Sequence, residues 1–189
     1  MKYILILSLL INFSFAISIN DSLLKIHAIL LPKIYLMDSN FQKKIKNNSI
    51  KIAILYDANS YQSALLLKDK IETRYHNKIQ DYTIKTVILP YNKKIIYDAN
   101  LYYLFPTNSK NIQLIINKAK KIKALTFSYL NSDLNNGIML SLDIGKKVKP
   151  LINLNAAKSG DITFRPILLK ISKIYITQHG TMSTKGTQL

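Results

Sequence analysis

SIKIAILYDANS, Ser49–Ser60, opens with an almost unbroken apolar run of strand length and closes on four turn-forming residues. A strand with a single polar interruption, Lys51, has no solvent face and belongs inside a sheet covered on both sides. Asp57-Ala58-Asn59-Ser60 then turns the chain into a helix, with Asn59 or Ser60 placed as N-cap. That helix carries Ala64, Leu65, Leu67 and Ile71 inward and its Lys and Glu outward. A doubly buried strand feeding an amphipathic helix is the repeating unit of a parallel sheet.

The rhythm continues on both sides of this unit. Upstream, Ser22–Met37 reads as a mostly apolar helix with Ser22 as cap and Pro32 as a kink, and 41–49 as a polar, basic connection. Downstream come strands YTIKTVIL (82–89), closed by Pro90, and ANLYYLF (99–105), closed by Pro106. Ile112, Ile115, Ile116, Ala119 and Ile122 recur at helical spacing, with Lys118, Lys120 and Lys121 on the other side. ALTFSYL (124–130) is a further strand. The pattern then changes: GIMLSLDI and KVKPLINL flank Gly145-Lys146 as a β-hairpin, and a last helix runs from Pro166 to Tyr175. In the connection, Asn155 is placed to cap a short turn and Gly160 to take a left-handed position ending it. The expected fold is a single three-layer α/β domain. Its sheet is mostly parallel, with helices on both faces and right-handed crossovers, and a C-terminal hairpin followed by a helix is added at one end.

The two ends are of another kind. Lys2, the apolar run Tyr3–Phe15 and the small residues Ser14 and Ala16 form a secretory signal peptide over 1–16, with cleavage after Ala16 and export to the periplasm. The run is too short and too interrupted for a membrane span. The domain then occupies 17–176, and 177–189 is a polar, disordered tail.

Composition narrows the chemistry. The chain has no cysteine, which excludes disulfides and thiol or Cys-metal sites. Its net charge is +17, from 27 basic and 10 acidic residues. In a chain rich in Lys, Ile and Asn, lysine is first the default surface residue; beyond that, such a charge suits an acidic protein partner or peripheral contact with an anionic membrane surface, and nucleic acid is not expected outside the cytoplasm. His27, His76 and His179 have no ligand-like spacing, and no glycine-rich phosphate loop or nucleophile elbow is present. No enzyme activity, metal or cofactor is expected. Asp57, Asn59 and Ser60 lie where a ligand would sit in an open α/β sheet, though the same residues make a plain capped loop. Lys118 and Lys121 form a basic helix face, either solvated or steering an acidic partner. Arg165, before the last helix, is either a docking group or a local cap.

One resemblance covers about Ser22–Tyr175 and is strongest near the end. Gly137, the apolar strand 138–142, Gly145-Lys146, Ile152-Asn153, Ala156-Ala157 and Leu168-Leu169 together resemble the YfiR family of small periplasmic regulators. The chain departs from it in Arg165-Pro166 at the last helix, in Leu36-Met37-Asp38 where Trp-Pro is usual, and in lacking cysteine. The resemblance implies a non-catalytic subunit. It would bind the periplasmic sensor domain of an inner-membrane diguanylate cyclase and inhibit it, lowering cyclic di-GMP and biofilm formation. It also allows a homodimer. The competing expectation is a one-lobe small-solute sensor serving a transporter or receptor kinase, because IKIAILYDANS also resembles the first strand of a periplasmic binding-protein lobe.

Overall fold

The computed structural model describes residues 19–91 and 97–176, so the expected leader (1–16) and tail (177–189) lie outside the described residues. The elements are α1 (Asp21–Tyr35), α2 (Phe41–Lys44), β1 (Ser49–Tyr56), α3 (Tyr61–Tyr75), β2 (Lys78–Ile79) and β3 (Tyr82–Pro90). They continue with β4 (Leu101–Leu104), α4 (Ser109–Ile122), β5 (Leu125–Ser128), β6 (Leu140–Ile144), β7 (Val148–Asn153), α5 (Leu154–Ser159), α6 (Pro166–Ile171) and β8 (Lys173–Tyr175). All eight strands form one sheet in the order β2-β3-β1-β4-β5-β6-β7-β8. Strands β3, β1, β4, β5 and β6 are parallel, β7 turns back against β6, and β8 runs parallel to β7.

β1 is the axis of this sheet, and its sequence explains why. Ile50, Ile52 and Ile54 point to the face covered by α1 and α3, while Ala53 and Leu55 point to the face covered by α4. All five are fully buried. Each large side chain so buried contributes roughly 1.5–3 kcal/mol. The two cores are separate clusters divided by the sheet, which is the expected three-layer arrangement.

Several boundaries differ from the sequence reading, each for a local reason. Asn20, not Ser22, caps α1: its side chain accepts from Leu23 N–H. Pro32 falls within α1 and is buried. The connection 41–49 begins with a helical turn, α2, anchored by buried Phe41. Leu65 is 37% exposed rather than inward, because Ala64, Leu67 and Ile71 alone fill the contact stripe of α3. Asn153, not Asn155, caps α5, accepting from Ala156 N–H at 2.9 Å. Gly160 has φ −99°, so it is not the left-handed residue; Asp161 is, at φ 58°. What glycine supplies at 160 is room: a Cβ there would collide with Met139 Cε. The last helix stops at Ile171, and Lys173–Tyr175 leaves it to become edge strand β8.

The N-terminal helix is clasped to the C-terminal segment through Asp38. This carboxylate is buried, pairs with Lys44 Nζ at 2.6 Å, and accepts from the N–H groups of Asn40 and Thr163. Lys44 Nζ also donates to the Asp161 carbonyl at 2.6 Å. Ser39 N–H donates to Thr163 O and Arg165 N–H to Met37 O.

Candidate docking surface

The six residues singled out in the sequence fall in three separate places. Asp57, Asn59 and Ser60 lie just past β1, at the switch point where the sheet order reverses between β3-β1 and β4. Ligands of open α/β sheets bind in the crevice at such a point. Here the loop closes on itself: Ser60 Oγ lies 3.1 Å from Asp57 Oδ1 and accepts from Asp57 N–H, forming a capping box over Ala58–Ser60. Asn59 is exposed. The strand ends here are bridged by a residue the sequence reading did not single out, half-buried Tyr91. Tyr91 extends β3, donates its N–H to Tyr56 O at 2.8 Å and its hydroxyl to Phe105 O at 2.8 Å. Its ring therefore crosses the end of β1 from β3 to β4. Burial pushes the Tyr91 hydroxyl pKa well up, with Asp133 and Asp57 adding to the effect.

Lys118 and Lys121 stand on α4. Lys118 forms an ion pair with Asp98, whereas Lys121 is exposed. Arg165 is the N-cap residue of α6, and its guanidinium lies over the Phe41 ring, 5.6 Å from the centroid. These cations do not converge with one another or with the Asp57–Ser60 loop.

A different feature is formed by the C-terminal third. Cross-strand partners share a face of a sheet. Ile144 pairs with Val148, Leu142 with Pro150, Leu140 with Ile152, and Ile152 with Ile174. Leu140, Leu142 and Ile152 are buried together with Leu168 of α6. The outer members of the same face are not covered: Ile144 is 52% exposed and Ile174 42%. Helix α6 turns Leu168 inward and leaves Ile167 and Ile171, one turn apart, 59% and 54% exposed. Ile176, next to β8, is exposed as well. Beyond β8 the sheet has no further described strand.

This surface is positively charged at its margins. Lys146, Lys147 and Lys149 occupy the hairpin tip, and Lys170 and Lys173 lie on α6 and β8. The nearby carboxylate Asp143 is already paired with Lys173 at 2.6 Å. Scattered exposed isoleucines need no explanation, but a grouped set rimmed by charge marks an interaction site. Lysine stems add apolar contact while their ammonium groups stay in water. The spacing of Ile167, Leu168, Ile171 and Ile174 reads as one packed side of a single helix; in the structure Leu168 alone of the four is buried, because α6 stops at Ile171 and Ile174 passes into β8.

Fold and surface together define a doubly wound α/β domain whose exposed apolar side chains are concentrated at one end of the sheet. The chain belongs to the YfiR/HmsC-like family, whose DUF4154 profile matches residues 40–173. This is a family of periplasmic regulators of the diguanylate cyclase kind, regulatory rather than catalytic. No helix among the described residues is long and apolar enough to cross a membrane. Among curated proteins the sequence finds no match. Among solved structures it is similar in fold to a conserved domain protein from Vibrio cholerae O1 biovar El Tor, with TM-score 0.54 and 15% identity. That alignment covers 80% of this chain and 59% of the Vibrio chain. The ABC domain in complex with L-Trp from Streptococcus pneumoniae is similar at TM-score 0.49 and 14% identity, covering 75% of this chain and 60% of that one.

Proposed function

We propose that this protein is a non-catalytic periplasmic subunit that binds the periplasmic sensor domain of an inner-membrane diguanylate cyclase and holds the enzyme off. The observation that carries the docking part is the group of exposed isoleucines on α6 and β8, rimmed by unpaired lysines of the hairpin. Burying Ile167, Ile171 and Ile174 against a partner supplies the apolar centre of an interface. The lysine rim steers an acidic partner and rejects basic ones. Inhibition requires tighter binding to the inactive form of the cyclase than to the active one, and release of the subunit then raises cyclic di-GMP.

The test uses the tagged full-length precursor, expressed so that the chain is exported. After detergent solubilisation, the wild type is expected to retain a membrane protein bearing a cytoplasmic cyclase domain. Ile167→Ser/Ile171→Ser should lose it while melting as the wild type does. Deleting the gene should raise cyclic di-GMP, and re-expressing the double variant should leave it raised. Unchanged cyclic di-GMP in the deletion strain sinks the regulatory reading.

The competing reading, a one-lobe solute sensor with its ligand at Asp57–Ser60, needs an open switch-point crevice. The ring of Tyr91, held between Tyr56 O and Phe105 O, stands against a ligand there.

A further inference from the structure

We infer that a cavity at the opposite end of the sheet, below the N-terminal ends of β1 and β4, binds the phosphate or carboxylate group of a small solute. The cavity measures about 310 Å³ and is lined by Lys44, Lys46, Ser49, Lys51, Asp98 and Asn100, with Ile122 among its apolar walls. It is distinct from the docking face and from the switch point, and the inference does not depend on the docking reading.

The central observation is Ser49. The residue is 4% exposed, it lines the cavity, and its hydroxyl has no hydrogen-bond partner among the described residues. Its position explains how it came to be there. Ser49 and Lys51 share the α4 face of β1 with Ala53 and Leu55, at the end of that face where α4 stops with Ile122. A buried hydroxyl left unpaired is costly and rare, and a ligand that pairs with it recovers that cost.

The charge around the hydroxyl selects the ligand. Three lysines line the cavity against one carboxylate, Asp98, and Asp98 is held by Lys118. All ten acidic residues lie among the described residues, and none forms an ion pair with Lys46 or Lys51. Lys51 Nζ rests over the Tyr97 ring, 6.0 Å from its centroid, a weaker partner than an oxyanion. Lys44 is committed to Asp38 and to the Asp161 carbonyl, so it contributes field rather than a free donor. Asn100 fixes the wall: its Oδ1 accepts from Lys51 N–H and its Nδ2 donates to Lys44 O. The carboxy end of α4, which would repel an anion, is capped by the N–H groups of Lys123 and Ala124 on Ala119 O. What remains is a hydroxyl donor and the ammonium groups of Lys46 and Lys51, neither paired with a carboxylate, around a space of small-molecule size.

The test titrates the purified mature chain with inorganic phosphate and, in a second arm, with succinate, following backbone amides by NMR. One-site saturation is expected, with shifts centred on Ser49, Lys51 and Asn100. The two arms separate phosphate-bearing from carboxylate-bearing solutes. Lys51→Met should weaken binding at least tenfold, and Ser49→Ala, which removes only an unpaired hydroxyl, several-fold. Lys121→Met, a cation outside the cavity, should bind as the wild type. No saturation with either probe overturns the inference, as does equal weakening in Lys51→Met and Lys121→Met. Wild-type binding by Lys51→Met overturns it too.

Discussion

β1 and β8 are isoleucine-bearing strands of the same sheet, and the sheet treats them in opposite ways. Ile50, Ile52 and Ile54 have no exposed surface, whereas Ile174 is 42% exposed. The difference is position. β1 has a strand on either side and helices on both faces; β8 has one neighbour and only partial cover. Isoleucine in β1 therefore reports on folding, and isoleucine around β8 is free to report on a partner. The contrast predicts that stability and binding can be separated by mutation.

The largest effect is expected where the two regions join. Asp38 is buried with Lys44 and fastens the end of α1 to the segment leading into α6. Removing one member of a buried pair strands the other charge and typically costs about 3–5 kcal/mol. Asp38→Ala should lower the midpoint of urea unfolding accordingly and raise amide exchange at Thr163–Arg165. Loss confined to α6 and β8, with the parallel core still protected, would show that the two regions unfold as separate units. Uniform loss would show a single cooperative domain.

Next in size is the direct comparison of the strands. Ile52→Ala should cost about 2–5 kcal/mol, the usual range for emptying a packed site. Ile174→Ala should change stability by no more than about 0.5 kcal/mol. Retention of the membrane partner should respond in the reverse order, with Ile174→Ala weakening it and folded Ile52→Ala leaving it unchanged. An Ile174→Ala variant that melts early and binds normally would break the contrast between the strands.

Much of this division was readable from residue patterns, and the reason is geometric. A strand buried on both faces writes its burial into every position, so SIKIAILY and ANLYYLF announced themselves, the second trimmed in the structure to Leu101–Leu104. α4 did so too, with buried Ile112, Ile115, Ile116 and Ala119 at helical spacing. Edge elements leave weaker traces. β2 has two residues and β8 three, and β8 follows α6 with only Ser172 between, so KIY reads as more helix. The switch point was legible as a place but not as a state, because what bridges it, Tyr91, comes from the end of a different strand. The cavity at Ser49 depends on Lys44, Lys51 and Asn100 meeting across the sheet, a juxtaposition that no local spacing encodes. The position of Arg165 over Phe41 is of the same kind, since 124 residues of sequence separation carry no pattern.

A smaller effect tests the core from within, through pH. His27 is buried on α1, its Nδ1 2.7 Å from the Tyr103 hydroxyl, and its ring packs against Tyr103, Phe127 and Tyr129. Desolvation lowers its pKa from 6.5 to about 3. The unfolded chain therefore takes up a proton near pH 6.5 that the folded chain refuses until about pH 3. Stability is highest above pH 6.5 and falls as pH drops through that window, by roughly 2 kcal/mol at pH 5. His27→Gln should remove this part of the slope, which the difference between the two urea curves at pH 7 and pH 5 measures. The same difference should be absent from partner retention, because no group of the α6–β8 face lies in that aromatic cluster.

The smallest effect concerns Arg165, which stands at the border between the two regions. Its backbone N–H is held by Met37 O at 2.8 Å, while its guanidinium reaches no acid and lies over Phe41. A cation on an aromatic face at an exposed site is worth about 0.5–1 kcal/mol. Arg165→Ala should cost that much, and the cost should vanish in a Phe41→Leu background, where no aromatic face remains. Such a cycle isolates the stacking from the backbone bond, which both variants keep. If Arg165 belonged to the docking surface instead, Arg165→Ala would leave unfolding untouched and weaken retention of the partner in either background. The stacked geometry, with the guanidinium over Phe41 of α2, predicts the first result: the arginine clamps α2 to the start of α6.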